Sequence, residues 1–376
     1  MATLIGTNGP DTIIGTADPD AIFGLNGNDA LFGGGEIDTL SGGAGDDHLF
    51  GGDGNDRSIN GDAGDDTLFG GEGNDKVMSG GDGRDVVYGG NGEDAIVGGN
   101  DDDDLRGEAG DDFLRGDDGR DRLYGGSGID QLVGSTGNDA LYGGADNDVL
   151  LGNDEISGAA DDDDTLYGGA GDDRLLADDI GGNGDDLVYG GIGDDDIFGG
   201  AGRDRAFGGD GNDIVSVLGE GRLFGGAGDD DLSSSGGNDS LSGGAGNDTI
   251  DAGLGRDFLA GGAGADRFDF DDSVFAGGAV YDTGVGKGNR DRIIDFAGTE
   301  DDRINLAGID ADLSTILVNE AFVFVGEDAP GTGELGFFES GGSTVVRGNT
   351  DDDAAADFEI QLDGVGLGLT ASDFLL

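Results

Sequence analysis

The 376-residue chain has no cysteine, no tryptophan, one histidine and three prolines, and sets only 18 lysines and arginines against 83 aspartates and glutamates. Without cysteine there is no disulfide scaffold, no thiolate zinc site and no cysteine nucleophile. With His48 as the single histidine, a zinc helix of the His-Glu-x-x-His kind cannot be built, and Ser-His-Asp chemistry would have to form around that one residue. The formal charge of -65 argues against nucleic acid or an anionic bilayer as a direct partner. No stretch approaches the roughly 18 apolar residues of a membrane span. The opening residues Met1 to Gly6 lack the basic region and apolar core of a Sec-type signal, and no nucleophile elbow or Walker loop appears.

What the chain has in excess is glycine, 87 residues of it. The glycines are placed by a nine-residue unit, Gly-Gly-x-Gly-x-Asp-x-U-x with U a large aliphatic residue, repeated from Gly6 to Asp269 in roughly 26 copies. Clean copies are Gly42 to Phe50 and Gly243 to Asp251. An acidic, glycine-rich chain would ordinarily be read as disordered. Here the acids stand in register with aliphatic residues, which acidic tails do not do.

Each unit divides into a glycine turn and a short strand centred on the aliphatic residue. One inward residue per strand makes no core alone, so the units must stack. Two units per coil predict an all-β fold, a right-handed parallel β-roll with two sheets facing across a thin core. The eighth position supplies that core: Ile13, Ile22, Leu31, Leu40 and Leu49, then Leu68, Val77, Val87, Ile96, Leu105, Leu114, Leu123, Leu132, Leu141 and Leu150.

In such a coil every loop lies over the loop two units on, and the sixth-position carboxylates and loop carbonyls face one another. An all-oxygen, flexible cage suits Ca²⁺ with its six to eight ligands better than Mg²⁺. The expected metal ligands are Asp11, Asp20, Asp29, Asp38, Asp47, Asp56, Asp66, Asp75, Asp85, Asp94, Asp103, Asp112, Asp121, Asp130, Asp139 and Asp148, then Asp173, Asp186, Asp195, Asp204, Asp213, Asp230, Asp239, Asp248, Asp257 and Asp266. If most stacked pairs hold one ion, on the order of 20 Ca²⁺ would offset much of the charge. Without cations, stacked carboxylates repel one another. Solvated turn-forming aspartates are the plain alternative, but turns do not require Asp at one fixed place in every unit.

The repeat resembles the haemolysin-type, or repeats-in-toxin, calcium-binding nonapeptide family, and the resemblance covers most of the chain. It implies multiple bound calcium ions and a parallel β-roll.

The repeat is uneven in places. Asp18, Glu36, Asp101 and Asp146 stand where the fourth glycine is expected, and those loops should be strained. Two units, Gly51 to Asn60 and Gly70 to Ser79, have an extra residue. Larger breaks at 152–167, 177–180 and 217–224 predict excursions between separate coil blocks. The resulting division is a lead-in at 1–5, a first roll block at 6–151, further blocks at 152–269 and a C-terminal region at 270–376.

The ninth position alternates. Phe32, Phe50, Phe69, Tyr88, Arg106, Tyr124 and Tyr142 fall on one sheet, whereas Ser41, Asn60, Ser79, Val97, Arg115 and Val133 fall on the other. An aromatic ladder on one outer face either stiffens the sheet by stacking or forms a docking face for an extracellular glycan or another copy.

Beyond Asp269 the apolar content rises, and Arg292 to Phe296, Arg303 to Leu306, Ala321 to Val325 and Phe358 to Leu362 read as short strands of a compact β cap, which an open coil end needs. Asp291 to Phe296, Ala356 to Leu362 and Leu369 to Leu376 resemble the C-terminal domain of serralysin-type secreted metalloproteases. That resemblance implies leaderless type I export through an ABC transporter, with Asp373-Phe374-Leu375-Leu376 as the matching signal; a buried final strand is the structural alternative. It also implies a Ca²⁺-type loop, onto which Asn349, Asp351, Asp353 and Asp357 map, although Ala354 replaces its turn glycine.

These readings describe a non-enzymatic, secreted, extracellular calcium-binding protein of a Gram-negative-type bacterium. The chain would be unfolded at cytosolic Ca²⁺ and folded outside, where it serves as a structural or interaction component. The alternative is the calcium-binding and secretion module of an extracellular hydrolase or epimerase whose catalytic domain is not in this chain. A membrane-active toxin would need an apolar or basic amphipathic segment that is missing.

Overall fold

The computed structural model describes residues 1–153, 162–178, 182–275, 278–281, 290–309, 322–327, 330–350 and 356–376, and divides into two compact units, Met1–Gly200 and Ala201–Leu376.

In the first unit successive strands alternate between two parallel sheets. One begins with Ala2–Ile5, Asp20–Asn26 and Thr39–Ala44, the other with Thr12–Ile14, Ala30–Gly35 and His48–Asp53. Each strand pairs with the one two places on, so the chain makes two strands and two loops per coil. Aliphatic residues fall in register up each sheet. In one sheet the column runs Ile22, Leu40, Ile59, Met78 and Ile96, in the other Leu31, Leu49, Leu68, Val87 and Leu105, all with no exposed surface. Burying one such side chain fully contributes about 1.5–3 kcal/mol, and the two facing columns make up most of the core of this unit.

The structure corrects the expected core at Val77. Lys76 and Val77 both precede the strand Met78–Asp82, so Met78 takes the buried slot between Ile59 and Ile96 and Val77 is 48% exposed. Both ten-residue units lie in the same sheet, one directly on the other, so their extra residues stack without disturbing the pairing on either side.

The breaks at 152–167 and 177–180 do not separate coil blocks. Tyr142 pairs in register with Tyr167 and Tyr167 with Tyr189, while Leu150, Leu175 and Ile197 continue the opposite column. The inserted residues 154–161 and 179–181 lie outside the described residues. Of the four residues replacing a fourth glycine, Glu36, Asp101 and Asp146 have φ of 65, 73 and 77°. Asp18 does not, because Pro19 after it disfavours helical geometry.

The outer aromatic column of the first unit is a continuous stack. Ring centroids are 4.7–4.9 Å apart from Phe32 through Phe50 and Phe69 to Tyr88, with interplanar angles of 2–3°. A second run links Tyr124, Tyr142, Tyr167 and Tyr189 at 4.8–4.9 Å. Arg106 joins the two, its guanidinium 5.3 Å from the Tyr88 ring centre and 5.1 Å from that of Tyr124. Ring faces are thus turned to one another along the column, as expected for intramolecular stacking.

The second unit continues the same construction. Arg203–Asp210, Glu220–Ala227, Ser240–Ala245 and Phe258–Ala263 form one parallel column of strands; Ile214–Val217, Asp231–Ser234, Thr249–Asp251 and Arg267–Phe275 form the other. Residues 217–224 are a coil turn one residue short: Arg205 pairs with Arg222 and Ala206 with Leu223. The coil then runs into the C-terminal region without the nonapeptide. Asp291–Ile293 stacks on Phe258–Ala263, Arg303–Gly308 on Arg267–Phe275, and Ile293 and Ile304 take the buried aliphatic positions.

An antiparallel sheet closes the end. Phe358–Asp363 pairs with Asp291–Ile293 and with Ser343–Asn349, which pairs with Glu334–Ser340. Leu335, Val345, Val346, Phe358, Ile360 and Leu362 are buried there. Arg290 and Glu359, 8% and 9% exposed, form a buried ion pair at 2.6 Å, and Arg292 pairs with Asp363. The final strand, Phe374–Leu375, lies parallel to Arg303–Gly308, with Phe374 5% exposed beside Ile304. No helix among the described residues is long and apolar enough to cross a membrane.

Candidate metal-binding loops

The loop Gly89-Gly90-Asn91-Gly92-Glu93-Asp94 illustrates how the repeat makes a site. Gly90 and Gly92 have φ of 115 and 130°, a region that costs other residues steric strain. Gly89 is needed for room: a Cβ there would stand 2.5 Å from Asp94 Oδ2 and 2.8 Å from the carbonyl oxygen of Gly107 in the next coil. A carboxylate oxygen and a backbone carbonyl of two stacked loops therefore converge on the same glycine.

The two oxygens of Asp94 have different surroundings. Oδ1 accepts the Asp75 amide at 2.8 Å, and the Asp94 amide in turn donates to Asp112 Oδ1 at 2.8 Å. The same bond at 2.7–2.9 Å links Asp29 to Asp47, Asp47 to Asp66, Asp66 to Asp85 and so on up both edges of the first unit. Oδ2 has no hydrogen-bond partner in Asp94, nor in the other column residues from Asp29 through Asp148 and at Asp164, Asp173, Asp230, Asp248 and Asp266, all at most 3% exposed. Buried polar atoms are ordinarily paired, and a repeated orphan asks for a ligand.

From Asp38 through Asp148, and at Asp164, Asp173, Asp230, Asp248 and Asp266, burial pushes the carboxyl up, more than the donated amide pulls it down. Asp94 reaches about 6, Asp75 about 7, Asp66 and Asp139 about 8 and Asp164 about 9, with neighbouring carboxylates adding to the rise in Asp66, Asp75, Asp139 and Asp164. Asp20 differs: the Ala2 amide, with Thr16, holds its carboxyl below the ordinary range. A dry row of carboxylates that resists ionisation fits a bound cation, whose charge would reverse the effect. Among the described residues no three or more His, Cys, Asp or Glu gather at metal distance. The oxygens available to an ion are Asp Oδ2 and the backbone carbonyls of the stacked loop, a hard, all-oxygen set that fits Ca²⁺.

All 26 sequence-derived aspartates occupy the stacked column. Asp11 is half-buried and the remaining 25 are buried. They are not equivalent. Asp11 and Asp20 accept threonine donors through Oδ2, and Asp239 Oδ2 accepts Ser234 Oγ at 2.9 Å. His48 is exposed on the second sheet of the first unit, between Ala30 and Thr67.

Sequence reasoning missed three members of the column. Asp164 accepts the Asp139 amide at 2.8 Å, and Asp164-Thr165-Leu166-Tyr167-Gly168-Gly169 carries the repeat wording that reveals it. Asp291 and Asp302 accept the amides of Asp257 and Asp266 at 2.7 and 3.1 Å. Their only signal is the tripeptide Asp-Arg-Ile, which opens the strand Asp291–Ile293 and leads into the strand Arg303–Gly308. At Gly221 the column position has no carboxylate, and its amide still donates to Asp239 Oδ1 at 2.6 Å.

A second ladder, also missed, uses the fifth position. Its side-chain oxygen accepts the amide of the fifth residue of the following coil, as from Asp65 to Asp46 at 3.2 Å, Asn74 to Asn55 at 3.1 Å and Asp172 to Asn147 at 3.0 Å. The signal was the excess of Asn and Asp at a place taken as variable.

In the loop expected at 349–357, Asp351 and Asp353 lie outside the described residues, and Asp357 Oδ2 accepts the Thr350 amide and hydroxyl at 2.6 and 2.9 Å. Asp373, in the proposed terminal signal, is 8% exposed and forms a capping box with Thr370.

The fold and loop chemistry define a calcium-type parallel β-roll. Ten stretches, together spanning residues 5–215 and 222–268, match the RTX calcium-binding nonapeptide repeat family, so the chain belongs to that family, and its ions are calcium. No functionally curated protein matches. Solved structures similar to the chain include the AlgE6R3 subunit of the Azotobacter vinelandii mannuronan C5-epimerase, at 24% identity over 44% of this chain and 79% of that one, with a TM-score of 0.27. The AlgE6R2 subunit of the same enzyme is 25% identical over 50% and 91%, with a TM-score of 0.23. A Ca²⁺-dependent β-helical antifreeze protein from an Antarctic bacterium is 25% identical over 71% and 84%, with a TM-score of 0.28.

Proposed function

We propose that the aspartate column from Asp29 onward, Asp239 excepted, supplies the calcium ligands, and that the chain is a calcium-operated folding switch acting outside the cell as a non-catalytic structural or interaction component. The observation that supports this is the run of buried Oδ2 atoms without a partner from Asp29 through Asp148, most of them converging with a carbonyl oxygen of the stacked loop on the first glycine of the turn. At submicromolar Ca²⁺ the column opposes closure through burial and mutual repulsion. At millimolar Ca²⁺ the ions bind only the closed coil and stabilise it by mass action. A chain kept open in the cytosol is suited to export, and the serralysin-like tail is the segment an ABC exporter would read. The aromatic column supports a stiffening role, since ring faces spent on one another leave only edges for a glycan or a second copy.

Circular dichroism during a Ca²⁺ titration tests the switch. The expected result is a cooperative gain of β signal between EGTA and millimolar Ca²⁺; a chain already fully β in EGTA would sink it.

A further inference from the structure

The first two loops are built differently from those that follow. In Gly6-Thr7-Asn8-Gly9-Pro10-Asp11 and Gly15-Thr16-Ala17-Asp18-Pro19-Asp20, threonine replaces the second glycine and proline takes the fifth position. Thr7 directs both its amide and its hydroxyl to Asp11 Oδ2, at 2.5 and 2.9 Å. Thr16 does the same to Asp20 Oδ2, at 2.7 and 2.9 Å, while Asp20 Oδ1 accepts the Ala2 amide at 3.0 Å. The oxygen that is orphaned from Asp29 through Asp148 is thus doubly bonded here.

The carboxylates also stand farther from the first glycine of the turn. A Cβ at Gly6 would be 2.9 Å from Asp11 Oδ2, and one at Gly15 would be 3.0 Å from Asp20 Oδ2, whereas at the first-position glycines from Gly24 to Gly168 the figure is 2.5 Å or less. Proline completes the pattern. The fifth-position amide elsewhere reaches back to a preceding loop, and Pro10 and Pro19 have no amide to offer. Among the described residues, Ala2–Ile5 pairs only with Asp20–Asn26, and Thr12–Ile14 only with Ala30–Gly35.

We infer that this first coil takes no calcium: Thr7 and Thr16 do for Asp11 and Asp20 what the ion does for the aspartates that follow, and the calcium array in this sequence begins at Asp29. The hydroxyl is a neutral donor that satisfies the carboxylate in place, so these two loops need no ion to do so. Ser234 on Asp239 repeats the device inside the second unit, at the loop stacked on Gly221, where the column lacks a carboxylate.

This inference rests on the reading that the interior loops hold the ions, and the two can fail separately. Native mass spectrometry of the full chain at saturating Ca²⁺ counts ions in wild type, Asp11→Asn/Asp20→Asn, Asp66→Asn and Thr7→Gly/Thr16→Gly, with circular dichroism confirming that each is folded. The Asp11/Asp20 pair should keep the wild-type count, Asp66→Asn should lose at least one ion, and the double glycine variant, which retains every carboxylate, should gain one or two. A lower count in the Asp11/Asp20 pair, or no gain in the glycine variant, overturns the inference. An unchanged count in Asp66→Asn overturns the interior reading and removes the contrast on which the inference stands.

Discussion

The Asp47 amide donates to Oδ1 of Asp66 at 2.7 Å, one coil further on, whereas the amide of Asp65 reaches back to Oδ1 of Asp46 at 3.2 Å. Two side chains next to each other in the loop therefore tie neighbouring coils together in opposite directions. Only the sixth-position residue also turns an unpartnered oxygen inward. The two ladders should separate on mutation. Asp66→Asn keeps an oxygen for the Asp47 amide but loses the charged Oδ2, so the Ca²⁺ midpoint for folding should rise several-fold. Asp46→Ala loses one exposed acceptor, costing about 0.5–1.5 kcal/mol with no change in ions bound. Isothermal titration and urea unfolding at saturating Ca²⁺ would read both.

The raised carboxyl values have a sign that can be followed. In the unfolded chain an aspartate titrates near 3.9; in the closed coil Asp94 lies at about 6, Asp75 at about 7 and Asp66 at about 8. The closed coil binds protons more tightly than the open chain, so these groups favour closure most below about pH 4 and lose that contribution as pH rises through 6 to 8. Metal-stripped protein should therefore gain β signal on acidification from pH 8 to 4. With calcium present the dependence inverts, because protons compete for the same oxygens, and the Ca²⁺ midpoint should climb as pH falls. Far-ultraviolet circular dichroism of chelator-treated, dialysed protein distinguishes the two limbs.

The coil was legible because period, turn and core coincide in one nonapeptide: Leu49 and Asp47 fall where a count of nine places them. Counting failed where a residue is added, since phase alone cannot tell which side of the strand takes it, and Met78 displaced Val77. It failed again where the glycines end. Asp291 and Asp302 keep the column through backbone pairing with earlier coils, 34 and 36 residues away, a relation with no local pattern. The fifth-position ladder was hidden by tolerance: Arg84 and Ile129 still donate their amides, so the column reads as variable although each acceptor must be Asn or Asp.

The stacked rings should contribute stability and nothing to calcium. Phe69 lies between Phe50 and Tyr88 at 4.9 Å from each, so Phe69→Ser removes two ring contacts of about 0.5–1.5 kcal/mol apiece. The loss should appear in urea unfolding at saturating Ca²⁺, with ion count unchanged. Phe69→Tyr should restore most of it, as Tyr88 already stands in the same column. An unchanged unfolding midpoint in Phe69→Ser would show that the ladder does not stiffen the sheet.

The ion pair of the cap offers a test that does not involve calcium ligands. Arg290 donates through Nε to Glu359 Oε2 at 2.8 Å, and both side chains are almost fully buried. Replacing one partner strands the other charge out of water, so Arg290→Met should destabilise the second unit by about 3–5 kcal/mol. Replacing both, as Arg290→Met/Glu359→Leu, removes the desolvation cost along with the attraction and should recover most of that loss. Denaturant unfolding of the three proteins at fixed Ca²⁺ gives the cycle. If the single variant matched wild type, the pair would be a passenger in the cap and closure of the coil would rest on the apolar contacts of Ile293, Leu362 and Phe358.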